Sequence, residues 1–114
     1  MTARFGLPEN TIAAICAVFA RHPQVEKAIL YGSRAKGNFR NGSDIDLTLC
    51  GGEDLTLTVQ LRIMTELDDL LLPYSIDLSL LAKISDSEVV EHVERVGIIF
   101  YERTMTNTES HPSC

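Results

Sequence analysis

Hydrophobic residues along the chain change spacing several times, and each change predicts a new element of secondary structure. A first helix is predicted with Pro8 in its first turn, a position to which proline is suited. Its buried face has members at i, i+3, i+4 and i+7, namely Ile12, Ile15, Cys16 and Phe19. Residues 25–31 follow, and their second half, residues 28–31, is a compact apolar run. This run predicts a strand that ends at Gly32-Ser33.

The second half of the chain continues the alternation of strands and helices. Apolar runs at 44–50, 75–81 and 98–101 predict three further strands, and residues 55–72 predict a helix that Pro73 ends. The inner face of that helix is expected to carry Ile63, Met64, Leu67, Leu70 and Leu71. A capping box at 85–88 begins a last helix, which Gly97 ends. Helices alternating with strands over one sheet predict an α/β domain of two layers around one core.

Length and composition limit the architecture and the class of partner. The 114 residues suffice for one domain, predicted over 1–103, while the polar and aperiodic segment 104–114 predicts a disordered tail. The formal net charge of −6 argues against direct nucleic-acid binding, which needs a basic surface. No apolar run approaches the length of a membrane span and no signal peptide is visible, so a cytoplasmic location is expected.

Two carboxylates interrupt the strand at 44–50. Asp44 and Asp46 are two residues apart, so strand alternation places both side chains on one face. Two such close carboxylates repel each other unless a cation neutralises them, and Mg²⁺ prefers oxygen ligands of this kind. Asp77 is the single acid of another apolar strand, and it can join the pair if the two strands are neighbours. The pattern therefore predicts a metal site formed by three acids.

The turn after the first strand is a candidate phosphate site. Gly32 lets the backbone approach a ligand closely, and Ser33 offers a hydroxyl and an N–H group at the start of a helical turn. Arg34 and Lys36 follow directly, so we expect them to add positive charge beside a triphosphate.

Each of these features alone has a simpler explanation. Asp44 could close a turn after Gly42-Ser43, Asp77 could lie on a solvated face, and Gly32-Ser33 could be an ordinary strand-to-helix turn. For a lone Asp-x-Asp the simpler explanation is favoured, but three acids within two apolar strands weaken it because acids are rarely buried unpaired. The three histidines, His22, His92 and His111, have no metal-ligand spacing and are interpreted as structural or solvated.

The combination of these features resembles the DNA polymerase beta-like nucleotidyltransferase superfamily. It consists of Gly-Ser, a ten-residue spacer, Asp-Ile-Asp-Leu and a distant Asp. The string GSRAKGNFRNGSDIDL is similar to minimal nucleotidyltransferases, and the resemblance extends from the first helix to the strand at 98–101. It implies a polymerase-beta-like fold with a small mixed sheet. It also implies that Gly32 and Ser33 hold nucleotide phosphates, that Asp44 and Asp46 bind one or two Mg²⁺ ions, and that Asp77 completes the metal site and helps to activate the attacking hydroxyl.

The resemblance also implies a partner. Minimal nucleotidyltransferases are often paired with a helical protein of the HEPN type, and in toxin–antitoxin pairs they transfer AMP from ATP to a tyrosine of that partner. The small size of this chain agrees, because little of it remains to bind an acceptor. Three hypotheses stay open: an active Mg²⁺-dependent antitoxin that transfers AMP to its HEPN partner, a catalytically weak nucleotide-binding subunit of a two-protein complex, and a structural interaction protein. Intact Asp44, Asp46 and Asp77 favour the first hypothesis.

Overall fold

The computed structural model describes residues 3–40 and 42–103, so the predicted tail at 104–114 lies outside the described residues. A short two-stranded hairpin precedes the domain's main sheet. The helices are α1 (Glu9–Ala20), α2 (Ser33–Lys36), α3 (Leu57–Asp68) and α4 (Ser87–Val96), with a 3₁₀ turn at Leu81–Lys83. The strands are β1 (Ala3–Arg4), β2 (Leu7–Pro8), β3 (Lys27–Tyr31), β4 (Ile45–Cys50), β5 (Ile76–Leu80) and β6 (Ile98–Glu102).

Four strands form one mixed sheet in the order β5-β4-β3-β6. The β3 strand pairs antiparallel with both β4 and β6, whereas β4 and β5 run parallel. A parallel pair cannot be joined by a tight turn, and α3 supplies the crossover between β4 and β5. The two strands predicted to carry metal-binding acids, β4 and β5, are therefore neighbours at one side of the sheet.

One face of the sheet carries the main hydrophobic core. Alternation along β4 buries Ile45, Leu47 and Leu49 on this face, where α1 and α3 cover them. The α1 helix contributes three of the four residues predicted for its inner face, Ile12, Ile15 and Phe19, as fully buried side chains. Cys16 is only half-buried.

The α4 helix lies on the opposite face of the sheet, against β3. A Cβ added to Gly97, just after α4, would meet Ile29 Cγ2, and the ring of Tyr31 is met edge-on by the ring of His92. Ile29 and Tyr31 alternate with the core residues Ala28 and Leu30, so they point away from the main core. His92 of α4 thereby reaches the end of β3, where the Gly32-Ser33 turn begins.

The predicted architecture, a small mixed sheet with helices packed on it, is confirmed, with two local differences. The third helix ends at Asp68, and Leu71 adopts a positive φ of 55° and is 87% exposed, so its predicted place on the inner face is wrong. Met64 is also exposed, whereas Ile63 and Leu67 are buried as expected. The β1–β2 hairpin was not predicted, because its turn at Phe5-Gly6 lacks the usual Asn-Gly or Asp-Gly signal.

Candidate active site

The register of the sheet brings two of the three predicted acids side by side. Asp46 of β4 is the direct parallel partner of Asp77 of β5, and on its other side it faces Tyr31 of β3. Direct partners share a face of the sheet, so the three side chains form a row across the strands. This face is the one opposite the main core. The condition on which Asp77 could join the pair, that its strand neighbours the strand of Asp46, is met.

Asp44 lies one residue before β4, next to this row. It is exposed, as is Asp77, whereas Asp46 is half-buried. Burial raises the pKa of Asp46 above its ordinary value, the carboxylates of Asp77 and Asp44 raise it further, and His92 opposes them. Asp44 and Asp77 therefore both act electrostatically on Asp46, which acids on separate solvated surfaces would not do.

The same negative field acts on the neighbouring phenol. Burial is the main cause that raises the pKa of Tyr31 above its ordinary value; Ser79 opposes it, and the carboxylates of Asp77 and Asp46 raise the pKa further by smaller amounts. A cation bound at the acids would reverse this field. Tyr31, Asp46 and Asp77 lie at one end of three neighbouring strands, and their electrostatic environment favours a bound cation there.

The carboxylate oxygens at this end of the sheet are ligands that suit a magnesium ion, but they do not form a complete ligand set by themselves. Among residues 3–40 and 42–103, no three acid, histidine or cysteine side chains lie close enough together to hold a metal by themselves. Mg²⁺ is usually bound by one or two carboxylates while substrate phosphates and water complete its octahedron. Two adjacent carboxylates with a third nearby match that mode, with the nucleotide supplying the missing ligands.

Gly32 closes the site from the end of β3. Its backbone has φ 79° and ψ −156°, a region that only glycine adopts readily. A Cβ at this position would overlap with Oδ2 of Asp46 and would lie 3.2 Å from its Cγ. The turn is therefore packed directly against a predicted metal ligand, which requires a residue without a side chain.

His92 is a site residue that sequence reasoning missed. Its Nε2 accepts a hydrogen bond from the Gly32 N–H at 3.3 Å, and its ring meets Tyr31 edge-on with 6.1 Å between centroids. Because Nε2 accepts, the ring in this arrangement carries its proton on Nδ1. The sequence offered no spacing signal for His92, since its position follows from α4 packing on the second face of the sheet.

The two predicted cations are placed differently. Lys36 is exposed at the end of α2, whereas Arg34 is buried, and its guanidinium donates to the backbone carbonyls of Phe5 and Ser43. Ser33 begins α2 half-buried, and its carbonyl accepts from the Gly37 N–H. Phosphate binding by Arg34 and Lys36 stays a prediction, and the present contacts of Arg34 do not favour it.

Comparison with known proteins identifies the family. The family model described as "Polymerase beta, Nucleotidyltransferase" matches residues 13–106. The chain therefore belongs to the polymerase beta nucleotidyltransferase family, and the family, fold class and enzyme class predicted from its sequence are confirmed. No curated protein matches the chain.

Several solved structures share the fold. A chain from a toxin–antitoxin complex with AMP-PNP is 22% identical, with a TM-score of 0.64 over 84% of this chain and 74% of that one. A chain from the complex of a tri-AMPylated HEPN toxin of Shewanella oneidensis with its MNT antitoxin is 17% identical, with a TM-score of 0.61 over 82% and 71%. A protein described as a minimal nucleotidyltransferase is 26% identical, with a TM-score of 0.61 over 84% of this chain and 95% of its own.

Among the described residues, no helix combines the length and apolar character that crossing a membrane requires.

Proposed function

We propose that this protein is a Mg²⁺-dependent nucleotidyltransferase that transfers AMP from ATP to a hydroxyl group of a HEPN-type helical partner, as the antitoxin of a cytoplasmic toxin–antitoxin pair. The single observation that carries the proposal is the row formed by Asp46 and Asp77, with the Gly32 turn packed against Asp46. Nucleotidyl transfer needs this combination: grouped carboxylates for a metal beside a tight backbone turn that accepts phosphates.

The reaction displaces pyrophosphate. The acceptor oxygen forms a bond to the α-phosphorus of ATP, and the bond from that phosphorus to the bridging oxygen of the β-phosphate breaks. Magnesium, when bound, would neutralise charge on the phosphates and on the leaving pyrophosphate. Asp44 and Asp46 would hold it, and Asp77 would complete the metal site and help to activate the attacking hydroxyl by taking its proton.

The turn at Gly32 and Ser33 supplies the positioning. Because Gly32 has no Cβ, its backbone packs directly against the Asp46 carboxylate, which brings the N–H groups at the start of α2 beside the proposed metal site, where they would orient phosphate oxygens. The Gly32 N–H already donates to His92, so the Ser33 N–H and hydroxyl are the groups of the turn that would contact phosphate. Exposed Lys36 would add charge at the rim of the site.

The partner is proposed from two lines of support. Solved structures of the same fold come from toxin–antitoxin complexes, one of them with a tri-AMPylated HEPN toxin. The acids also lie at the sheet surface, with Asp44 and Asp77 exposed, so a protein hydroxyl can reach them without an opening of the fold.

The proposal is tested with labelled ATP and the protein that co-purifies with this chain. We expect Mg²⁺-dependent covalent labelling of the partner, and little labelling of any acceptor by the isolated chain. The double variant Asp44→Asn, Asp46→Asn should lose the labelling and keep its circular dichroism spectrum. Unchanged labelling by the double variant would contradict the catalytic site. Mg²⁺-dependent ATP binding without any transfer would instead favour a nucleotide-binding subunit.

A further inference from the structure

Arg34 is buried in a way that binding to an exposed phosphate does not require. The residue is only 3% exposed, although it lies on the short α2 helix at the protein surface. Its guanidinium carbon lies over two aromatic rings, 5.2 Å from the centroid of Phe39 and 5.3 Å from that of Tyr74. Taking a guanidinium out of water is costly, so a residue of this kind is retained where its fork of donors is needed.

The donors of Arg34 connect three segments of backbone. Nη1 donates to the Phe5 carbonyl at 2.8 Å, in the turn of the β1–β2 hairpin. Nε and Nη2 both donate to the Ser43 carbonyl, at 3.2 and 2.9 Å. Arg34 itself follows the Gly32-Ser33 turn directly. One side chain therefore joins the phosphate turn, the hairpin and the loop that leads into β4.

Ser43 is the residue immediately before Asp44, so its carbonyl sets the direction in which the chain enters the acid motif. A local turn already holds Ser43, whose N–H donates to the Arg40 carbonyl at 2.9 Å. Tyr74, stacked on Arg34, precedes Ser75, whose carbonyl accepts the Ile45 N–H at 2.9 Å. The contacts of Arg34 thus extend to the start of both strands that carry the acids.

We propose that Arg34 is a positioning residue that fixes Asp44, and the entry of the strands carrying Asp46 and Asp77, relative to the Gly32-Ser33 turn. It acts through the Ser43 carbonyl and the Tyr74 ring and does not contact nucleotide. The inference rests on the proposed function, because it assigns Arg34 to the metal site of that reaction.

The test compares Arg34→Lys with Arg62→Lys, the same change at an exposed arginine of α3. Lysine keeps the charge but loses the planar fork and the stacking on two rings. We expect Arg34→Lys to weaken Mn²⁺ binding by the nucleotide-free chain at least about tenfold, as loss of an outer support of metal ligands does. Mn²⁺-induced broadening of amide NMR signals measures this affinity, and Arg62→Lys should leave it unchanged.

The labelling reaction gives a second readout. We expect Arg34→Lys to raise the Mg²⁺ concentration needed for half-maximal labelling and to lower kcat, with little change in KM for ATP at saturating Mg²⁺. The opposite pattern, an unchanged Mn²⁺ affinity with a raised KM for ATP, would show that Arg34 binds phosphate and would overturn the inference while leaving the proposed function in place. If the wild-type chain transfers no nucleotide, the proposed function fails and the Mn²⁺ titration still decides the role of Arg34.

A milder variant covers the case in which Arg34→Lys does not fold. Phe39→Leu removes one of the two stacked rings and keeps the guanidinium with its three hydrogen bonds. It should weaken Mn²⁺ binding in the same direction by a smaller factor. Wild-type Mn²⁺ affinity in a folded Phe39→Leu variant, with Arg34→Lys unfolded, would contradict the positioning role.

Discussion

Replacing Gly32 with alanine tests how closely the Gly32-Ser33 turn packs against Asp46 of the proposed metal site. Two separate costs are expected. The backbone at φ 79° and ψ −156° belongs to a region that alanine enters at a cost of about 1–3 kcal/mol. The new Cβ would also overlap with Oδ2 of Asp46, so the carboxylate must move away from its place beside Asp77.

Gly37 provides a control for a positive φ without a close side-chain contact. It has a similar φ of 86° but a ψ of 3°, the left-handed region that alanine enters at lower cost, and a Cβ added there meets nothing within 4 Å. Gly37→Ala should therefore cost only about 1–2 kcal/mol of unfolding free energy. Gly32→Ala should cost about 3 kcal/mol or more, which lowers Tm by roughly 12 °C or more for a domain of this size. Urea unfolding of the two variants beside the wild type measures the difference.

A double-mutant cycle isolates the contact with Asp46. In an Asp46→Ala background the nearest atom of residue 46 to the new Cβ is its own Cβ, at 3.5 Å, an ordinary van der Waals distance. The cost of Gly32→Ala should then fall by about 1 kcal/mol, within the range of coupling between touching residues. Equal costs for Gly32→Ala and Gly37→Ala, unchanged by Asp46→Ala, would refute the close packing of turn and carboxylate.

Two further predictions concern pH and charge. Because the pKa of Asp46 is raised on folding, the folded state binds its proton more tightly, so Asp46 lowers the unfolding free energy as pH rises past its ordinary value of 3.8. Metal-free Asp46→Asn should therefore be at least as stable as wild type at neutral pH, and a clear loss of stability in urea unfolding would contradict this. Burial raises the pKa of Glu66, but hydrogen bonds from Arg21 and His22 outweigh it and hold that pKa below 4.5. Glu66→Gln should cost less than about 1 kcal/mol at pH 7, and the cost should vanish once the pH falls below the lowered pKa of Glu66; a cost that persists there would show that the carboxylate charge is not its source.

The acid motif was predictable from sequence because strand alternation is a local property. The apolar pattern around Asp46 required a strand, and a lone acid in a second apolar strand made Asp77 a candidate. That the two strands pair in register, with Asp46 directly opposite Asp77, depends on a parallel crossover that spacing does not encode. The sequence therefore identified the candidate acids, while their arrangement depends on the topology of the sheet.

The roles of Arg34 and His92 could not be deduced in this way, because both depend on packing between distant segments. Arg34 follows the phosphate turn in sequence, which suggested a ligand, yet it is buried against rings that lie 5 and 40 positions further along the chain. His92 lies on a helix whose sequence shows only an apolar stripe, and it reaches Gly32 because α4 packs on the second face of the sheet. Leu71 illustrates the same limit, since it continues a helical pattern beyond the point where the helix ends.

The most direct test of the central claim follows the phosphates of ATP. The chain and its co-purified partner are incubated with Mg²⁺ and with ATP labelled at either the α- or the γ-phosphate. Nucleotidyl transfer predicts that only the α-label becomes attached to the partner, and that mass spectrometry locates an AMP group on one of its hydroxyl side chains. Attachment of the γ-label, or α-labelling that persists when Asp44 and Asp46 are both replaced by asparagine, would contradict the assignment.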